Sequence, residues 1–268
     1  MIKISKKVLV IGDSCLDVFQ YGKCKRICPE APVPVFIPTK TKENGGMAMN
    51  VKNNLIALGV SVDICTNLFK DNHTPIKKRL IDEVSNQMLV RIDENDSINL
   101  IDWDTLTNIE FEKYDAVVIS DYNKGFLNEE SILFISQHHK LTFMDTKKKL
   151  GSWANFVKYI KINEKEYDEN RKYLEGERPY GTIATLGKNG AILLSNNNGE
   201  LNIKNFPIEK EHEIRDLTGA GDTFLAAIVS KFLEKNDIHI AIKFANECAS
   251  WVVTQKGVAV VDLNRIEL

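Results

Sequence analysis

Residues 218–222 read Thr-Gly-Ala-Gly-Asp and lead into an apolar stretch with the character of a helix. Gly219 and Gly221 let the backbone come close to a ligand, and the free N–H groups at a helix start favour negative charge. Asp222 falls on the first turn, where it can take the proton from an incoming hydroxyl group. A carboxylate beside an anion-binding turn suits phosphoryl transfer to a hydroxyl.

The same segment also fits an ordinary helix start. In that interpretation Thr218 caps the helix, the glycines form the turn, and Asp222 complements the positive end of the helix dipole. This stretch alone does not separate the two interpretations.

A second glycine turn, Gly45-Gly46, precedes Asn50 and a helical run at residues 51–58. Small residues there allow a polyhydroxyl ligand to lie against the backbone, and the Asn50 amide offers a donor and an acceptor to a sugar hydroxyl. A plain loop-to-helix junction with Asn50 on the surface fits at least as well.

The elements that must position these residues alternate between strands and helices. Segments with helical spacing, such as residues 128–137, separate several continuous apolar runs that are typical of buried parallel strands. The pattern predicts an α/β fold with a mostly parallel sheet covered on both faces. The apolar runs lie at residues 7–11, 116–120, 141–144, 159–162, 182–186 and 191–194.

Polar residues follow most of these runs. Ligands of such sheets gather at the carboxyl ends of the strands, so we expect a polar, charged cleft there, although turn residues are polar by default. The residues concerned are Asp13, Asp17, Asp121, Asn123, Lys124, Asp145, Lys147, Asn163, Glu164 and Glu166.

Two segments do not fit the alternation of strands and helices. Residues 32–38 are extended but rich in proline, which places them at a sheet edge or in a covering flap. Residues 76–81 and 87–92 have the pattern of a hairpin around Ser85-Asn86. We interpret these pieces as a small β lid over the cleft, and an irregular edge of the main sheet is the alternative.

The composition excludes several classes of protein. A net charge of −2 over 268 residues, with interspersed Lys and Arg, provides no basic stripe, so we expect no nucleic-acid partner. The five cysteines lack the spacing of a disulfide framework or a zinc site, and no apolar run reaches the length of a membrane span. We therefore expect a cytoplasmic protein without a membrane partner.

These motifs resemble those of the ribokinase-like sugar kinases. Residues 216–224 look like that family's C-terminal signature, and Gly45-Gly46 looks like its N-terminal glycine signature. Residues 26–35, Arg-Ile-Cys-Pro-Glu-Ala-Pro-Val-Pro-Val, are similar to a stretch typical of the kinases that phosphorylate O1 of D-glycero-β-D-manno-heptose 7-phosphate. The segment Ser120–Gly125 is a further match to that branch.

The resemblance runs over nearly the whole chain and implies a single three-layer α/β/α kinase domain over residues 1–268, with β-lid segments near 16–38 and 76–93. It implies ATP as donor, Mg²⁺ as helper and a sugar phosphate as acceptor, and it leaves a monovalent-cation requirement open. Lids of this kind often join two subunits, so we expect a homodimer.

The resemblance also implies roles for individual residues. Asp222 would be the base on the acceptor hydroxyl, and the amides of Gly219, Ala220 and Gly221 would stabilise charge on the transferring phosphoryl group. The residues implied for the nucleotide are Asn163, Thr185, Gly187, Gly190 and Asn246, with Glu166 for the metal. The residues implied for the sugar are Asp13, Gly45, Gly46, Asn50 and, from the lid, Arg91.

The chain is abbreviated at residues 66–75 and 167–182 relative to this family, and three alternatives follow. The acceptor is an unphosphorylated sugar, or it is a nucleoside, or the protein is a non-catalytic relative that binds nucleotide or sugar. Many heptose kinases carry a nucleotidyltransferase domain after the kinase, whereas this sequence ends at Leu268; if the protein feeds an activated-heptose pathway, we expect another polypeptide to supply that step.

Four basic residues are candidates to neutralise the substrate's phosphate from the lid side, because arginine's forked donors suit that task. The alternative is that they are surface charges paired with Glu30 or Asp93. The candidates are Arg26, Lys78, Arg79 and Arg91.

Overall fold

Two β-sheets organise the chain in a computed structural model that describes residues 6–67, 74–176, 180–197, 200–209, 213–255 and 257–266. The strands are β1 (Lys7–Gly12), β2 (Leu16–Ile27), β3 (Pro34–Asn44), β4 (Ser61–Thr66), β5 (Ile76–Asp82), β6 (Met88–Glu94), β7 (Ala116–Asp121), β8 (Thr142–Thr146), β9 (Tyr159–Asn163), β10 (Gly181–Thr185), β11 (Ala191–Asn197) and β12 (Glu200–Phe206). The α-helices are α1 (Gly46–Ala57), α2 (Trp103–Thr107), α3 (Glu129–His138), α4 (Glu164–Gly176), α5 (Ala220–Lys235) and α6 (Ile238–Val252).

The larger sheet has the order β12-β11-β10-β9-β8-β7-β1-β4. The strands from β10 to β4 are parallel to their neighbours, and β11 and β12 complete the sheet in antiparallel fashion. Side chains on both faces of the central strands are buried, which explains why their sequences are continuous apolar runs. The predicted strands and the predicted mostly parallel sheet are confirmed.

Helices cover both faces of this sheet. Helices α1, α5 and α6 share one hydrophobic core with one face, and α2, α3 and α4 share a second core with the other. The predicted three-layer α/β/α architecture is therefore correct. Within the described ranges, no helix is long and apolar enough to cross a membrane.

The smaller sheet is separate and has the order β3-β2-β5-β6. Strand β3 carries Pro34 and Pro38 and is an edge strand, as its prolines predict, with a register irregularity where Gly22 lies opposite Pro38. Strands β5 and β6 form the predicted antiparallel hairpin. The alternative of an irregular edge of the main sheet is wrong. We call this sheet the lid. Its strand β3 continues to Asn44, beyond the predicted lid segment near residues 16–38.

The chain enters and leaves the lid beside the carboxyl ends of the central strands. Strand β2 begins four residues after β1 ends, and β3 leads directly into α1. The backbone N–H of Ala48 at the start of α1 donates to the Asp13 carbonyl at 3.0 Å. The lid, the start of α1 and the end of β1 are therefore fixed to one another. Residues 68–73 and 177–179, within the two abbreviated segments, lie outside the described residues, and the single-domain assignment stays a prediction.

Candidate active site

Asp222 lies on the first turn of α5 with only 5% of its surface exposed. Its Oδ1 accepts a hydrogen bond from the Tyr122 hydroxyl at 2.6 Å, and its Oδ2 accepts one from Asn50 Nδ2 at 2.9 Å. Tyr122 follows β7 and Asn50 lies on α1, so three separate elements meet at this carboxylate. A carboxylate has about four acceptor sites. Asp222 therefore retains the capacity to accept a proton from a third group.

The electrostatics of Asp222 result from opposing effects. Burial raises its pKa because the charged form loses water, and the neighbouring Asp145 raises it further. The hydrogen bonds from Tyr122 and Asn50 act in the opposite direction, as does Lys161. The net direction is upward. A raised pKa makes the carboxylate a better proton acceptor, and the two donors favour the ionised form that a base requires.

The start of α5 has no side-chain cap. Gly219 is the N-cap residue, with φ of +84°, and Thr218 uses its N–H to donate to Asp216 Oδ1 at 2.9 Å. The interpretation in which Thr218 caps the helix is therefore wrong. The first amides of a helix have no intrahelical acceptor, and Ala220 reaches only Leu217 O at 3.3 Å. An anion can occupy this helix start.

A buried ion pair lies beside this turn. Lys161 Nζ on β9 donates to Asp145 Oδ2 on β8 at 2.7 Å, and both side chains are buried. A Cβ on Gly221 would lie 2.8 Å from that Nζ, so only a glycine lets the ammonium pack so closely. Burial acts to raise the pKa of Asp145, but Lys161 and Lys147 together hold it below its ordinary value. The ion pair places a charged lysine next to the amides of the turn.

Asn163 and Glu166 form a reciprocal cap at the start of α4. The Asn163 N–H donates to Glu166 Oε2, and the Glu166 N–H donates to Asn163 Oδ1, each at 2.9 Å. This is the capping-box arrangement, which explains the Asn-x-x-Glu spacing structurally. Glu166 Oε1 also accepts from Lys147 at 2.6 Å. Lys147 contacts Asp145 at 3.3 Å, which links the cap to the buried ion pair.

Glu166 is compatible with the predicted metal role. Among the described residues, no group of three or more His, Cys, Asp or Glu side chains is arranged to hold a metal ion. Mg²⁺ is commonly bound by one or two carboxylates together with substrate phosphates, so one carboxylate suffices. The Glu166 side chain is 12% exposed at the carboxyl end of β9.

Asp13 is fully buried and holds the loop that follows β7. Its Oδ2 accepts from the backbone N–H groups of Tyr122 at 2.6 Å and Lys124 at 3.2 Å, and its Oδ1 accepts from Phe126 N–H at 3.2 Å. Burial raises the pKa of Asp13, as does Asp121, and these three bonds lower it. Asp13 thus positions Tyr122, whereas its predicted contact with a sugar stays a prediction.

The Gly45-Gly46 turn lies against the lid entrance. Gly46 has φ of +44°, and a Cβ there would lie 2.6 Å from Cys15 Sγ, so this position requires glycine. The Gly45 carbonyl accepts from Cys15 N–H at 3.3 Å. Burial raises the pKa of the Cys15 thiol to about 12, and Asp17 raises it too, so the thiol is neutral at ordinary pH.

The residues predicted to contact the nucleotide fall into two groups. Thr185 lies opposite Asn163 on the neighbouring strand. Gly187 begins the turn after β10, and Gly190 closes it by accepting from Leu186 N–H at 2.7 Å. Gly190 and Asn246 both approach Phe206 O: a Cβ on Gly190 would lie 2.1 Å from it, and Asn246 Nδ2 donates to it at 2.9 Å. Their contacts with a nucleotide stay predictions.

Arg91 lies on the lid and forms a two-pronged ion pair with Asp93, at 2.9 and 2.8 Å. Arg79, directly opposite Arg91 on β5, is paired with Asp17. Lys78 lies opposite Ile92 and therefore on the other face of the lid. Thus Arg79 and Arg91 share a face, and Lys78 does not belong with them.

Three residues of this site were not singled out from the sequence. Tyr122 contacts Asp222 directly, and its signal was its position immediately after β7. Lys161 lies within an apolar run, where a lysine is itself unusual. Asn54 orients Asn50, since its Nδ2 donates to Asn50 Oδ1 at 3.2 Å. Asn54 lies one helical turn after Asn50, and that spacing was the only signal available.

Comparison with known proteins agrees with the observed fold. The chain matches the description "pfkB family carbohydrate kinase" over residues 66–264. This range covers well over half of the sequence, and the chain belongs to that family. It is therefore a sugar kinase with the ribokinase-like fold.

Curated relatives are similar along almost the whole chain. The protein named "Bifunctional protein HldE" of Helicobacter pylori (strain HPAG1) is 33% identical over 98% of this chain. A protein of the same name from Helicobacter hepaticus (strain ATCC 51449 / 3B1) is 31% identical over 98% of the chain. The chain spans 66% and 63%, respectively, of the length of these relatives.

Solved structures share the fold at low sequence identity. Phosphofructokinase-2 from Escherichia coli in complex with substrates and products has a TM-score of 0.72 at 17% identity, with 96% of each chain covered. Arabidopsis thaliana ribokinase complexed with ribose and ATP has a TM-score of 0.68 at 14% identity, with 94% of each chain covered. These likenesses establish the fold.

Two glycines with the same backbone angle provide a test of the α5 start. Gly219 and Gly59 both have φ of +84°, but a Cβ on Gly219 would lie 2.8 Å from Asn50 Nδ2, whereas a Cβ on Gly59 meets nothing within 4 Å. We expect Gly219→Ala and Gly59→Ala each to lose about 1–2 kcal/mol of stability from the left-handed backbone. Only Gly219→Ala displaces the donor to Asp222, so only it should lose kinase activity, by about 10-fold or more. Chemical denaturation and initial rates measure the two effects. Equal activity losses in both variants would contradict this account of the turn.

Proposed function

We propose that this protein is an ATP-dependent sugar kinase that transfers the γ-phosphate to O1 of D-glycero-β-D-manno-heptose 7-phosphate, with Asp222 as the general base. The observation that carries the proposal is the Asp222 carboxylate, which is buried and held by Tyr122 and Asn50 beside an uncapped helix start. A buried carboxylate has a desolvation cost that ordinary helix capping does not require. A reaction that needs a base at this point accounts for it.

The proposed reaction divides the work among this chain's residues. Asp222 takes the proton from the acceptor hydroxyl as that oxygen forms its bond to the γ-phosphorus of ATP. The bond from the γ-phosphorus to the bridging oxygen breaks, and ADP leaves. The amides of Gly219, Ala220 and Gly221 stabilise the charge on the transferring group, and Lys161 adds positive charge beside Gly221.

The donor side of the proposed site uses the ends of β9 and β10 and the region around Phe206. We assign ATP binding to Asn163, Thr185, Gly187, Gly190 and Asn246. Glu166 would hold Mg²⁺, which neutralises phosphate charge when bound. Lys147 lies beside Glu166 and keeps its carboxylate oriented through the 2.6 Å hydrogen bond.

The acceptor side is assigned to one face of the lid. Lys77, Arg79 and Arg91 share this face, because Arg79 lies opposite Arg91 and Lys77 lies two residues before Arg79. Lys77 Nζ lies 5.3 Å from the centre of the Tyr122 ring, so the face is directed towards Asp222. Three cations and the carboxylates Asp17 and Asp93 leave this surface with a net positive charge. A sugar that already carries a phosphate suits such a surface.

The second candidate is a kinase for an unphosphorylated sugar. It is favoured by the pairing of Arg79 with Asp17 and of Arg91 with Asp93, which occupies two of the three cations. In that case these ion pairs only stabilise the lid. A substrate panel distinguishes the two candidates.

We further propose that the enzyme is a cytoplasmic homodimer formed through the lid. Every residue of β6 is exposed, including Met88, Val90 and Ile92. Such an exposed apolar strand is a ready surface for pairing with a second chain. The cytoplasmic location is supported by Cys15, Cys24, Cys28 and Cys248, which are free thiols.

Asp222→Asn tests the catalytic assignment. The amide keeps the size of the side chain but cannot accept the hydroxyl proton, so we expect kcat to fall by about 10²–10⁴-fold with little change in the KM for ATP. The assay is ADP formation with Mg²⁺ across heptose 7-phosphate, fructose 6-phosphate, ribose, fructose and adenosine. Turnover confined to heptose 7-phosphate is the expected result.

Asp63→Asn is the matched control, because Asp63 also accepts from a tyrosine hydroxyl, that of Tyr114, which precedes β7 whereas Tyr122 follows it. It should leave kcat unchanged. Near wild-type turnover in Asp222→Asn would exclude Asp222 as the base. Nucleotide binding without turnover on any acceptor in the wild type would instead indicate a regulatory relative.

Arg91→Met and Lys77→Met test the phosphate-binding face. Each removes one charge, and the loss of one charged hydrogen bond should raise the KM for the sugar phosphate by about 10–100-fold while the KM for ATP stays constant. Lys78→Met is the matched control, since Lys78 lies on the same strand but on the opposite face. An unchanged KM in both Arg91→Met and Lys77→Met would refute the assignment of this face.

Val90→Glu tests the dimer. Val90 is 50% exposed on β6, and a buried unpaired carboxylate at an interface is strongly unfavourable. We expect sedimentation equilibrium to show a dimer for the wild type and a monomer for this variant. Ile203→Glu, at a residue 46% exposed on β12, is the control and should remain dimeric. A monomeric wild type would be incompatible with assembly through the lid.

A further inference from the structure

Tyr122 holds the Asp222 carboxylate, but no step of the reaction above is assigned to it. We propose that Tyr122 is a positioning residue for the reaction: its hydroxyl holds the Asp222 carboxylate, in the ionised form, in the single orientation that receives the acceptor's proton. This inference rests on the proposed function, because it assigns to Tyr122 the task of preparing the proposed base.

Each oxygen of the Asp222 carboxylate accepts a hydrogen bond from a different donor. Tyr122 OH donates to Oδ1 at 2.6 Å, and Asn50 Nδ2 donates to Oδ2 at 2.9 Å. Hydrogen bonds to an ionised acceptor are short and about twice as strong as neutral ones. Donors on both oxygens define the plane of the carboxylate, and with it the direction of the acceptor sites that remain free.

The phenol of Tyr122 is not needed to hold its own loop. The backbone N–H groups of Tyr122, Lys124 and Phe126 all donate to Asp13, and the Asn123 N–H donates to Asp121 Oδ1 at 3.0 Å. These four bonds fix the path of the chain after β7. The hydroxyl of Tyr122 is thereby left for the carboxylate of Asp222.

Two ammonium groups flank the Tyr122 ring. Lys77 Nζ, from the lid, lies 5.3 Å from the ring centre, and Lys147 Nζ, from the turn after β8, lies 5.7 Å from it. Both distances are within the range of a cation–π interaction. The ring therefore contacts residues of both the lid and the β8 turn, and Tyr122 connects the lid to the base.

The second donor is oriented independently of Tyr122. Asn54 Nδ2 donates to Asn50 Oδ1 at 3.2 Å and to the Asn50 carbonyl at 2.9 Å. Asn54 Oδ1 in turn accepts from Thr223 Oγ1 at 3.2 Å and from Val261 N–H at 3.0 Å. The Asn50 amide is thus fixed with its nitrogen towards Asp222. Removing the Tyr122 hydroxyl should therefore delete one donor and leave the other in place.

The charged groups around Asp222 determine the direction of the expected pH effect. Burial raises the pKa of Asp222, Asp145 on β8 raises it, Lys161 on β9 lowers it, and the Tyr122 and Asn50 hydrogen bonds lower it. Burial also raises the pKa of Tyr122, as does Asp222 itself, so the phenol keeps its proton and remains a donor. The neutral Cys15 thiol contributes no charge. Loss of the Tyr122 donor therefore raises the pKa of Asp222.

Tyr122→Phe, compared with Tyr114→Phe, tests the inference. Tyr114 donates to Asp63 at 2.9 Å and lies before β7, at the opposite end of the strand from Tyr122, so its variant deletes the same kind of tyrosine–aspartate bond away from the site. For Tyr122→Phe we expect the acidic limb of the kcat/KM profile to move up by about one pH unit, and kcat at neutral pH to fall by about 10-fold, with the KM for ATP unchanged. Tyr114→Phe should move none of these.

A carboxyl-carbon NMR titration provides a readout that does not depend on turnover. The Asp222 signal is assigned from its loss in Asp222→Asn, and its midpoint should move up in Tyr122→Phe and not in Tyr114→Phe. An unmoved midpoint together with an unmoved acidic limb would overturn the role of Tyr122. A wild type without turnover on any acceptor would overturn the proposed function, while the titration would still decide on Tyr122.

A fluorinated tyrosine at position 122 keeps the test decisive if Tyr122→Phe does not fold. Fluorination makes the phenol a stronger donor without removing it, so the Asp222 midpoint should move down. A midpoint that stays at its wild-type value with this more acidic phenol would overturn the inference.

Discussion

The burial of the Asp222 carboxylate is the constraint on which the surrounding structure depends. An ionised carboxylate removed from water is unfavourable unless donors replace the lost hydration. Here the donors come from a loop after β7 and from α1, while the carboxylate itself is on α5. These elements are far apart in the sequence. The parallel sheet brings them together, because its carboxyl ends and the adjoining helix starts lie on one side.

Other buried charges in the cleft also have partners that replace the lost hydration. Lys161 and Asp145 neutralise each other beneath Gly221, and Lys147 joins them to Glu166. On the lid, Arg79 pairs with Asp17 on the neighbouring strand, and Arg91 pairs with Asp93 on its own strand. Asp145 and Lys161 thus have each other as partners, Asp13 has three backbone amides, and Asp222 has a hydroxyl and a side-chain amide. This network also couples parts of the site, since the Tyr122 ring contacts one lysine from the lid and one from the β8 turn.

The central elements could be predicted because their patterns arise from burial alone. Strands such as β1 and β7 are apolar throughout, which only a sheet covered on both faces produces. The strands at the two edges of the main sheet, β4 and β12, were not predicted. Most of their residues are half-buried or exposed, so their sequences carry weaker apolar signals. Glu166 and Asn163 show the limit for sites: their spacing is that of a metal element and equally that of a helix cap.

The sequence by itself determined the class of chemistry: a carboxylate at a glycine-bracketed helix start, glycines where the backbone must turn, and an α/β framework that collects polar residues at strand ends. These properties depend on residue type and local spacing, which a sequence states directly. Only the tertiary structure decided which side chains contact one another. It placed Tyr122 against Asp222, paired Arg91 with Asp93, separated Lys78 from Arg79, and buried Lys161 beside Gly221. The contacts of Tyr122 with Asp222 and of Lys161 with Gly221 join residues far apart in the sequence, and the arrangement of the lid charges depends on which face of a strand each residue occupies. Packing, not local pattern, determines them.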